Sequence, residues 1–401
     1  MLKVLVLNCG SSTLKFKLFE MEGENVLARG VADRIGMSGS RVCCRAGNHE
    51  ELVQETPLPG HAEAVNKILG FLTDTHCGVI RDVKEIRAVG HRVVHGGESF
   101  HRPVAVDSNV LKVLEECSEL APLHNPPNIT GIRVCMQLMP HAFEVAVFDT
   151  AFHQTIPDLA YLYPIPYRYY EEYRIRKYGF HGTSHKYVSA RAAEIYGAGI
   201  EKLKIITCHL GNGASLCAVN GGKSLDTTMG FTPLAGLMMG TRCGDVDPAI
   251  IPFLEEKEGL SPDQIMEILN KRSGVLGISG FSSDFRDLAQ AAVDGNNRAQ
   301  LAIDMFVYRV ARGIGSLVPA MGGLDALVFT AGIGENSPEI RRGICSYLKY
   351  LGVVLDGSLN SAKGVEAELS APGSAVKVLV IPTDEEKIIA METIQIAGNA
   401  I

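Results

Sequence analysis

The chain opens with Leu2-Lys3-Val4-Leu5-Val6-Leu7-Asn8-Cys9-Gly10-Ser11-Ser12-Thr13-Leu14-Lys15, and a variant of this layout returns at 203–215. In both copies an apolar strand runs into a short turn of small polar residues, and a second apolar stretch follows. At a constant offset, Asn8 aligns with His209, Gly10 with Gly211 and Lys15 with Leu216. Small side chains let backbone N–H groups approach an anion closely. The repeat therefore predicts two related hairpins that bind anionic groups.

The length of 401 residues exceeds what one hydrophobic core supports, so we expect two domains. Strands and helices alternate after each hairpin, which favours a mixed α/β fold with helix-covered sheets. We predict a first domain over 1–149 plus 386–401, with the final helix returning to it, and a second domain over 150–385. Two duplicated halves are expected to face each other across a nucleotide cleft.

Individual elements follow from hydrophobic periodicity and from helix start and stop signals. The predicted strands after the first hairpin are 86–94, 144–148, 326–330 and 376–381. The predicted helices are 62–73, 110–117, 184–196, 298–317, 338–351 and 384–397. Thr383 and Glu386 have the spacing of a capping box at the start of the last helix.

The composition excludes several classes of protein. A net charge of −7, with 46% hydrophobic and 21% charged residues, is typical of a soluble globular protein without a basic face for nucleic acid. No apolar run approaches the ~20 residues that span a bilayer, and the N-terminus lacks the pattern of a signal peptide. We therefore expect a cytoplasmic protein with neither nucleic-acid nor membrane partners.

Ten cysteines are scattered without metal-site spacing. We expect them to be reduced and mostly buried, acting as small apolar residues. Cys9 and Cys208 lie beside the two turns, so alkylation that blocks a site there is the alternative.

Three glycine-bearing turns follow strands, at 8–13, 209–213 and 331–336. Together they predict two phosphate-binding hairpins and a third turn that lies against a flat base. For any one turn taken alone, glycine serving turn geometry only remains an equal alternative. No dinucleotide motif follows a strand, and the near-match to a Walker A loop at 217–224 has Cys217 where the first glycine must stand.

His91 and His95 have the i, i+4 spacing of a zinc-binding helix. The acidic neighbour of a zinc protease is missing, and the segment has the pattern of a strand. We therefore predict no metal at this pair.

Seven segments in chain order resemble the acetokinase family, within the superfamily of acetate and sugar kinases, heat-shock chaperones and actin. They are 7–15, 90–97, 148–153, 178–185, 208–215, 239–242 and 329–336. The resemblance implies two duplicated ribonuclease H-like domains. It also implies a reversible, Mg²⁺-dependent, direct in-line transfer of the ATP γ-phosphoryl group to acetate, giving acetyl phosphate and ADP. Mn²⁺ is an expected substitute for Mg²⁺, and a homodimer is the expected assembly.

The resemblance assigns four catalytic residues: Arg92, Asp149, His181 and Arg242. Arg92 is expected to hold the acyl substrate, while Arg242 and His181 stabilise the transition state. Acetate, with a carboxyl pKa of roughly 4 to 5, is already ionised at neutral pH and needs no general base. We therefore hypothesise that Asp149 mainly organises Mg²⁺.

The same resemblance assigns the metal and the nucleotide. Asn8 and Glu385 are expected to position Mg²⁺, Glu385 being free for this because Glu386 completes the capping box. The expected nucleotide-binding residues are Lys15, His209, Leu210, Gly211, Asn212, Gly213, Asp284, Phe285, Arg286, Gly332, Ile333, Gly334, Glu335 and Asn336.

Val94, Leu123 and Pro233 are the expected acyl-pocket residues, and their presence favours acetate. Propionate remains open, because one methylene changes binding in an apolar pocket by only about 1–3 kcal/mol. Another short-chain acyl kinase is a related alternative. An ATP-driven conformational module is a further one, disfavoured by Arg92, His181 and Arg242, which suit a carboxylate acceptor.

Overall fold

A computed structural model describes residues 2–47, 49–122 and 124–398. Within these ranges the chain forms fourteen strands and fourteen α-helices, labelled here in chain order. The strands are β1 (Lys3–Cys9), β2 (Thr13–Glu20), β3 (Asn25–Asp33), β4 (Arg41–Ala46), β5 (Leu52–Glu55), β6 (Ile86–Val93), β7 (Val104–Ala105), β8 (Phe143–Phe148), β9 (Lys204–Leu210), β10 (Ala214–Asn220), β11 (Lys223–Thr227), β12 (Ala326–Thr330), β13 (Ala367–Glu368) and β14 (Lys377–Val380).

The helices vary from one turn to seven. They are α1 (His61–Leu72), α2 (Ser108–Glu116), α3 (Asn125–Leu138), α4 (Asp158–Tyr161), α5 (Arg168–Tyr173), α6 (Gly182–Tyr196), α7 (Ile250–Glu258), α8 (Pro262–Lys271), α9 (Gly274–Ser279), α10 (Phe285–Val293), α11 (Asn297–Met321), α12 (Ala331–Asn336), α13 (Pro338–Tyr347) and α14 (Glu385–Ala397). In the described part of the chain, no helix is both long enough and apolar enough to cross a membrane.

The chain divides into two compact units, the first within Met1–Phe152 and Asp384–Ile401 and the second within His153–Thr383. The first unit contains an eight-stranded sheet in the order β5-β4-β3-β2-β1-β6-β8-β7. The second contains a six-stranded sheet in the order β11-β10-β9-β12-β14-β13.

The six strands of the second sheet have the same arrangement as the six neighbouring strands β3-β2-β1-β6-β8-β7 of the first sheet. In each sheet the opening strand pairs antiparallel with the next strand, which pairs antiparallel with a third. On its other side the opening strand leads a parallel triplet, β1-β6-β8 or β9-β12-β14, that ends in an antiparallel edge strand. The predicted class, a mixed α/β fold with duplicated domains, is confirmed. Strands β4 and β5 extend only the first sheet.

The two hairpins differ by one residue in their turns. In the first, Asn8 pairs with Lys15, seven positions later. In the second, His209 pairs with Ser215, six positions later. The structural counterpart of Lys15 is therefore Ser215. The constant-offset alignment with Leu216 is wrong beyond the turn, since the shorter turn shifts the second strand by one position.

Strand periodicity determines how the first sheet is covered. Val4 and Val6 lie on one face, in a cluster with Ile389 and Ala390 of α14. Leu5 and Leu7 lie on the other face, in the cluster that includes residues of α1 and α3. This alternation is the period of two expected for a strand. Both faces are buried, so β1 is almost continuously apolar.

Two glycines allow helices to approach this sheet closely. A Cβ atom at Gly90 of β6 would lie 2.4 Å from Thr393 Oγ1 of α14. A Cβ atom at Gly131 of α3 would lie 2.3 Å from Cys9 Sγ. Any larger side chain would push the helix away at either position. Glycine there brings α14 and α3 against the strands whose ends carry the site residues.

The predicted elements are found with shifts of a few residues at their ends. The strand predicted at 326–330 has those bounds in the structure, and the helix predicted at 184–196 begins two residues earlier. The helix predicted at 338–351 ends as an α-helix at Tyr347, and a short 3₁₀ turn, Lys349–Leu351, follows. Terminal turns of helices commonly tighten in this way.

The predicted capping box at the last helix is wrong. The N-cap of α14 is Asp384, whose side chain accepts a hydrogen bond from the backbone N–H of Lys387. Thr383 instead donates from Oγ1 to Ser184 Oγ at 2.9 Å. Glu386 forms an ion pair with Lys17 at 3.1 Å. A carboxylate accepts more strongly than a hydroxyl, so Asp384 takes the cap.

Candidate functional site

In the first unit, the parallel strands β1, β6 and β8 bring polar residues to one edge of the sheet. Asn8 and Arg92 are the penultimate residues of β1 and β6, and Asp149 directly follows β8. Carboxyl ends of parallel strands form the usual binding edge of an α/β sheet. Glu385, the first residue of α14, joins them electrostatically, since it interacts with both Arg92 and Asp149. We call these four residues the carboxylate edge.

Arg92 and Asp149 form a two-pronged ion pair at this edge. Arg92 donates from Nε to Asp149 Oδ1 at 3.0 Å and from Nη2 to Oδ2 at 2.5 Å. Burial disfavours the guanidinium charge, but Asp149 and Glu385 outweigh burial and raise the pKa of Arg92. Asp149 is only 2% exposed, and its backbone N–H donates to Val93 O. In the described ranges Arg92 Nη1 has no hydrogen-bond acceptor, so it is available to an anion.

The carboxyl group of Glu385 at this edge has a raised pKa. Burial raises its pKa to about 7; the neighbouring Arg92 lowers it, and the Asp149 carboxylate raises it by a smaller effect. Two carboxylates that disfavour each other's charge are stabilised by a divalent cation.

The donor set at the carboxylate edge suits Mg²⁺. Its oxygens come from two carboxylates and the Asn8 amide, which are the ligands that this ion prefers. The described residues hold no cluster of three or more His, Cys, Asp or Glu side chains with metal-site geometry. Mg²⁺ is commonly held by one or two carboxylates with substrate oxygens and water completing its shell. The residues present therefore fit such an ion.

Two lysines of β2 lie beside this edge in different roles. Lys15 pairs with Asn8 in the hairpin, is exposed, and interacts with Glu385. Lys17 forms ion pairs with Asp384 at 3.0 Å and Glu386 at 3.1 Å. Burial opposes its charge, but the two acids raise its pKa overall. Sequence reasoning missed Lys17, which ties β2 to the start of α14 and so fixes Glu385.

In the second unit, His181 occupies a strained position at the start of α6. It is the N-cap with φ of 58°, in the left-handed region that non-glycine residues rarely adopt. Its ring stacks on His209 of β9 at 4.1 Å between centroids. Its Nδ1 lies 2.9 Å from Ser215 Oγ of β10. The second hairpin therefore fixes the His181 ring on two sides.

Arg242 lies beside the same hairpin turn. Its Nη1 donates to Pro233 O at 2.7 Å, and a Cβ atom at Gly213 would lie 2.6 Å from its Nη2. The His181 ring is the next neighbour of that position, with Nε2 at 3.4 Å. Burial lowers the pKa of Arg242. Glycine at 213 thus leaves room for both side chains, which we call, with His209 and Ser215, the histidine edge.

A cavity of about 710 Å³ adjoins the histidine edge in the second unit. This volume suits a nucleotide-sized ligand. Three predicted segments line it together, contributing Gly211, Asn212, Asp284, Phe285, Arg286, Gly332, Ile333 and Asn336. Ser283, Ser337 and Lys363 also line it and were not predicted.

The segment at 284–286 begins α10. Asp284 caps that helix by accepting from the Arg286 N–H at 2.8 Å and also pairs with the Arg286 side chain. These contacts with Arg286 lower the pKa of Asp284 to about 2. The Arg286 side chain is exposed and places its positive charge at the margin of the cavity.

The segment predicted as a turn at 331–336 is the short helix α12, and Arg341, a residue that sequence reasoning missed, holds it in place. Arg341 is fully buried and donates to the backbone carbonyls of Gly334 and Glu335 at 2.8 and 3.0 Å. Its other donors reach Asn360 and Ala362. Burial lowers its pKa. Glu335 does not line the cavity, and its Oε1 accepts from the Thr383 N–H at 3.2 Å.

The remaining predicted residues lie in several places. Leu210 and Gly334 are buried and support the neighbouring backbone of the site. Val94 is in the first unit, where its N–H donates to Asn128 Oδ1, and Pro233 is in the second. Leu123 lies outside the described residues.

His91 and His95 have separate buried partners. His91 Nε2 lies 2.6 Å from Glu144 Oε2, and burial raises the pKa of Glu144. Burial lowers the pKa of His95 to about 4, and its backbone and Nδ1 are engaged by Asn125 and Gly97. Their i, i+4 spacing falls across the end of β6, so the two rings do not share a helix face.

Comparisons with known proteins agree over nearly the whole chain. The profile of the Acetokinase family matches residues 3–391. The acetate kinase of Carboxydothermus hydrogenoformans is 56% identical over 398 residues, covering 99% of this chain and 100% of that protein. The solved acetate kinase of Porphyromonas gingivalis has a TM-score of 0.96 at 49% identity, covering 99% of this chain and 100% of that one. A propionate kinase structure from Francisella tularensis has a TM-score of 0.92 at 43% identity, covering 98% and 100%.

Proposed function

The chain belongs to the acetokinase family, and on that premise we propose that it is an ATP:acetate phosphotransferase. It transfers the γ-phosphoryl group of ATP to acetate, reversibly, giving acetyl phosphate and ADP. The observation that carries this proposal is Arg92. Its guanidinium is fixed by the buried Asp149 through Nε and Nη2, while Nη1 remains available at the sheet edge. A fixed, permanently charged donor of this kind suits a small carboxylate.

The carboxylate edge binds the acceptor and the metal. Arg92 Nη1 orients one acetate oxygen, and Asp149 keeps the guanidinium from turning. Acetate arrives ionised, so Asp149 has no proton to remove from it. Asn8, Asp149 and Glu385 would hold Mg²⁺, which would neutralise phosphate charge and help to orient the transferring group. Mn²⁺ accepts the same oxygen ligands and is a candidate substitute.

The histidine edge and the adjoining cavity bind the nucleotide. The turn at 211–213 offers backbone N–H groups to phosphates, and the α12 segment at 332–336 with Phe285 accommodates the base. Arg242 and His181 donate to the equatorial oxygens of the transferring phosphoryl group. Charge spread over those oxygens is what such donors stabilise. Lys15 contributes a further charge for the phosphates.

Acetate is the proposed preferred acceptor over propionate. Val94 and Pro233 are the described residues of the expected acyl pocket. The propionate kinase structure at 43% identity keeps the longer acid as a second candidate. Rates with acetate, propionate and butyrate, each at several concentrations, distinguish the two, since a tight pocket lowers kcat/KM by about 10-fold or more per added methylene.

The experiment that tests the proposed activity uses ATP, Mg²⁺ and acetate with hydroxylamine, which traps acetyl phosphate as a hydroxamate. We expect hydroxamate from the natural protein and a loss of about 100-fold or more in Arg92→Ala, the usual scale for removing a positioned charged donor. Arg133→Ala is the matched control, since Arg133 pairs with Glu115 on the exposed surface of the first unit. Steady ATP hydrolysis without hydroxamate and without acetate dependence would instead identify a conformational ATPase.

We also propose a homodimer formed through the second unit. Helix α7 contributes no residue to the core, and Ile250 and Phe253 are 39% and 57% exposed. An apolar helix surface of this kind suits a second copy of the chain. Sedimentation of Phe253→Glu should show monomers. Val293→Glu, at an isolated exposed apolar position on α10, should sediment like the natural protein.

The proposed location is the cytoplasm, where the substrates ATP and ADP are available. All ten cysteines are free thiols, which agrees with a reducing compartment.

A further inference from the structure

One hydroxyl group joins two histidine rings behind the histidine edge. Ser215 Oγ lies 2.9 Å from His181 Nδ1 and 2.8 Å from His185 Nε2. On its other side, His185 Nδ1 lies 2.7 Å from Thr207 Oγ1. Ser215, His185 and Thr207 are each fully buried. The chain Thr207–His185–Ser215–His181 is therefore a continuous polar path that ends at a residue of the proposed active site.

Counting protons leaves two arrangements for this path. The Ser215 hydroxyl has one proton, and within the described residues the two rings are the hydrogen-bond partners of its oxygen, so it donates to one ring and accepts from the other. If Ser215 donates to His181, neutral His181 carries its proton on Nε2. If Ser215 donates to His185, then His181 must donate from Nδ1, and its Nε2 bears a proton only when the ring is an imidazolium.

Thr207 distinguishes the two arrangements. In the first, the Thr207 hydroxyl donates to His185 Nδ1 at 2.7 Å. In the second, His185 donates to Thr207, and the Thr207 proton must go to Cys217 O at 3.5 Å, the limit of a hydrogen bond. The 2.7 Å contact between Thr207 Oγ1 and His185 Nδ1 therefore favours Thr207 as the donor. His185 then donates from Nε2 to Ser215, and Ser215 donates to His181 Nδ1.

We propose that Thr207, His185 and Ser215 are positioning residues that hold His181 as a neutral ring with its proton on Nε2. The inference rests on the proposed function, in which His181 donates to the transferring phosphoryl group. A neutral Nε2–H donor is present at every pH above the ordinary titration range of histidine. An imidazolium donor would be lost over that same range.

The charged and titratable neighbours of His181 favour a neutral ring. Arg242 lies beside it across Gly213, and the positive end of the α6 dipole lies at the N-cap that His181 occupies. His209 of β9 stacks on it, and His185 of α6 lies 6.5 Å away between centroids. Burial, followed by His153 and His209, keeps the pKa of His185 well below its usual value, so His185 supplies one proton only.

The test compares kcat for hydroxamate formation from pH 6 to pH 9 in Thr207→Val and Ser215→Ala. Both variants remove a hydroxyl of the path without adding volume. We expect kcat to fall about 10-fold at pH 8 and markedly less at pH 6, because protonation restores an Nε2–H donor. Thr207→Ser keeps the hydroxyl and should restore the natural profile. Ser189→Ala removes a buried α6 hydroxyl outside the path and should match the natural protein.

A second readout does not depend on activity. Nitrogen NMR of histidine-labelled protein should show His181 as a neutral ring protonated at Nε2 at pH 8. A ring protonated at Nδ1, or a ratio of variant to natural kcat that is constant across pH, would overturn the proposal. A protein that makes no hydroxamate would instead refute the proposed function, while the NMR result would still report the tautomer.

Discussion

The two hairpins of this chain have the same strand directions and the same place in their sheets, yet opposite chemistry at their turns. The first pairs Asn8 with Lys15 and adjoins carboxylates that attract a cation. The second pairs His209 with Ser215 and adjoins imidazoles and a guanidinium. One residue fewer in the second turn puts a serine where the first hairpin has a lysine. A duplicated scaffold therefore carries an acidic, oxygen-rich edge in one half and a hydrogen-bond-donating edge in the other.

The comparison predicts that the largest loss of activity follows a substitution in the carboxylate edge. Asp149→Asn removes a buried charge that both orients Arg92 and faces Glu385, so we expect kcat to fall about 1,000-fold. The concentration of Mg²⁺ for half-maximal rate should rise as well. Glu115→Gln, which breaks an exposed ion pair, is the control. An unchanged Mg²⁺ requirement with a shifted pH profile would show that Asp149 acts as a base.

A stability measurement on Glu385 tests the difference between the two halves. The carboxylate edge buries excess negative charge, whereas the histidine edge does not. In the folded state Glu385 has a pKa of about 7, above the ordinary 4.5, so its contribution to stability is present below pH 4.5 and lost as pH rises through 7. Without metal, Glu385→Gln should raise the free energy of unfolding at pH 8 by at most about 3 kcal/mol. Denaturant titration at pH 8 and pH 4.5 measures this difference. Equal effects at both values would exclude the charge as the cause.

Exchanging the equivalent residues of the two hairpins should produce different defects. Asn8→His replaces an oxygen ligand, so the Mg²⁺ requirement should rise about 10-fold. His209→Asn keeps a partner for Ser184 but removes the ring beneath His181, so kcat should fall about 5-fold at an unchanged Mg²⁺ requirement. Steady-state rates over a Mg²⁺ series separate the two outcomes. The same defect in both variants would mean that the halves are not specialised.

The smallest effect is expected where the two hairpins remain alike. Cys9 and Cys208 are both buried, and burial raises the pKa of Cys9 to about 12 and that of Cys208 well above its usual value. Iodoacetamide at pH 8 should therefore leave the native activity unchanged, since the thiolate is the reactive form. Mass spectrometry of the two cysteines checks that neither is modified. Rapid labelling of either residue with loss of activity would contradict this expectation.

Sequence reasoning reached the duplicated α/β fold because periodicity and turn residues are local signals. It also named the segments that line the cavity at Gly211, Asp284 and Gly332, through resemblance to a family. It did not reach the register of the second hairpin, since a constant offset cannot detect a turn shortened by one residue. Nor did it find Thr207, Ser215 or Arg341, because an isolated buried polar residue in a sequence is indistinguishable from an ordinary core position.

The capping error at Thr383 has a related cause. Local spacing matched a capping box, but Asp384 competed for the same helix end. Thr383 was then used for a distant contact with Ser184, 199 positions away in the chain. Glu385 and Asp149 likewise interact across a long stretch of sequence. Contacts of this kind depend on sheet order, which determines which strand ends are neighbours.

The return of α14 to the first sheet has a consequence for biosynthesis. Val4, Val6, Ala88 and Val147 remain uncovered until the helix that begins at Glu385 has left the ribosome. The second unit, which is continuous from His153 to Thr383, can complete its sheet before that moment. Nascent chains therefore carry an open apolar sheet face until α14 emerges, a state prone to aggregation. Completion of the first unit therefore waits for α14, and chains that terminate before Glu385 leave that face open.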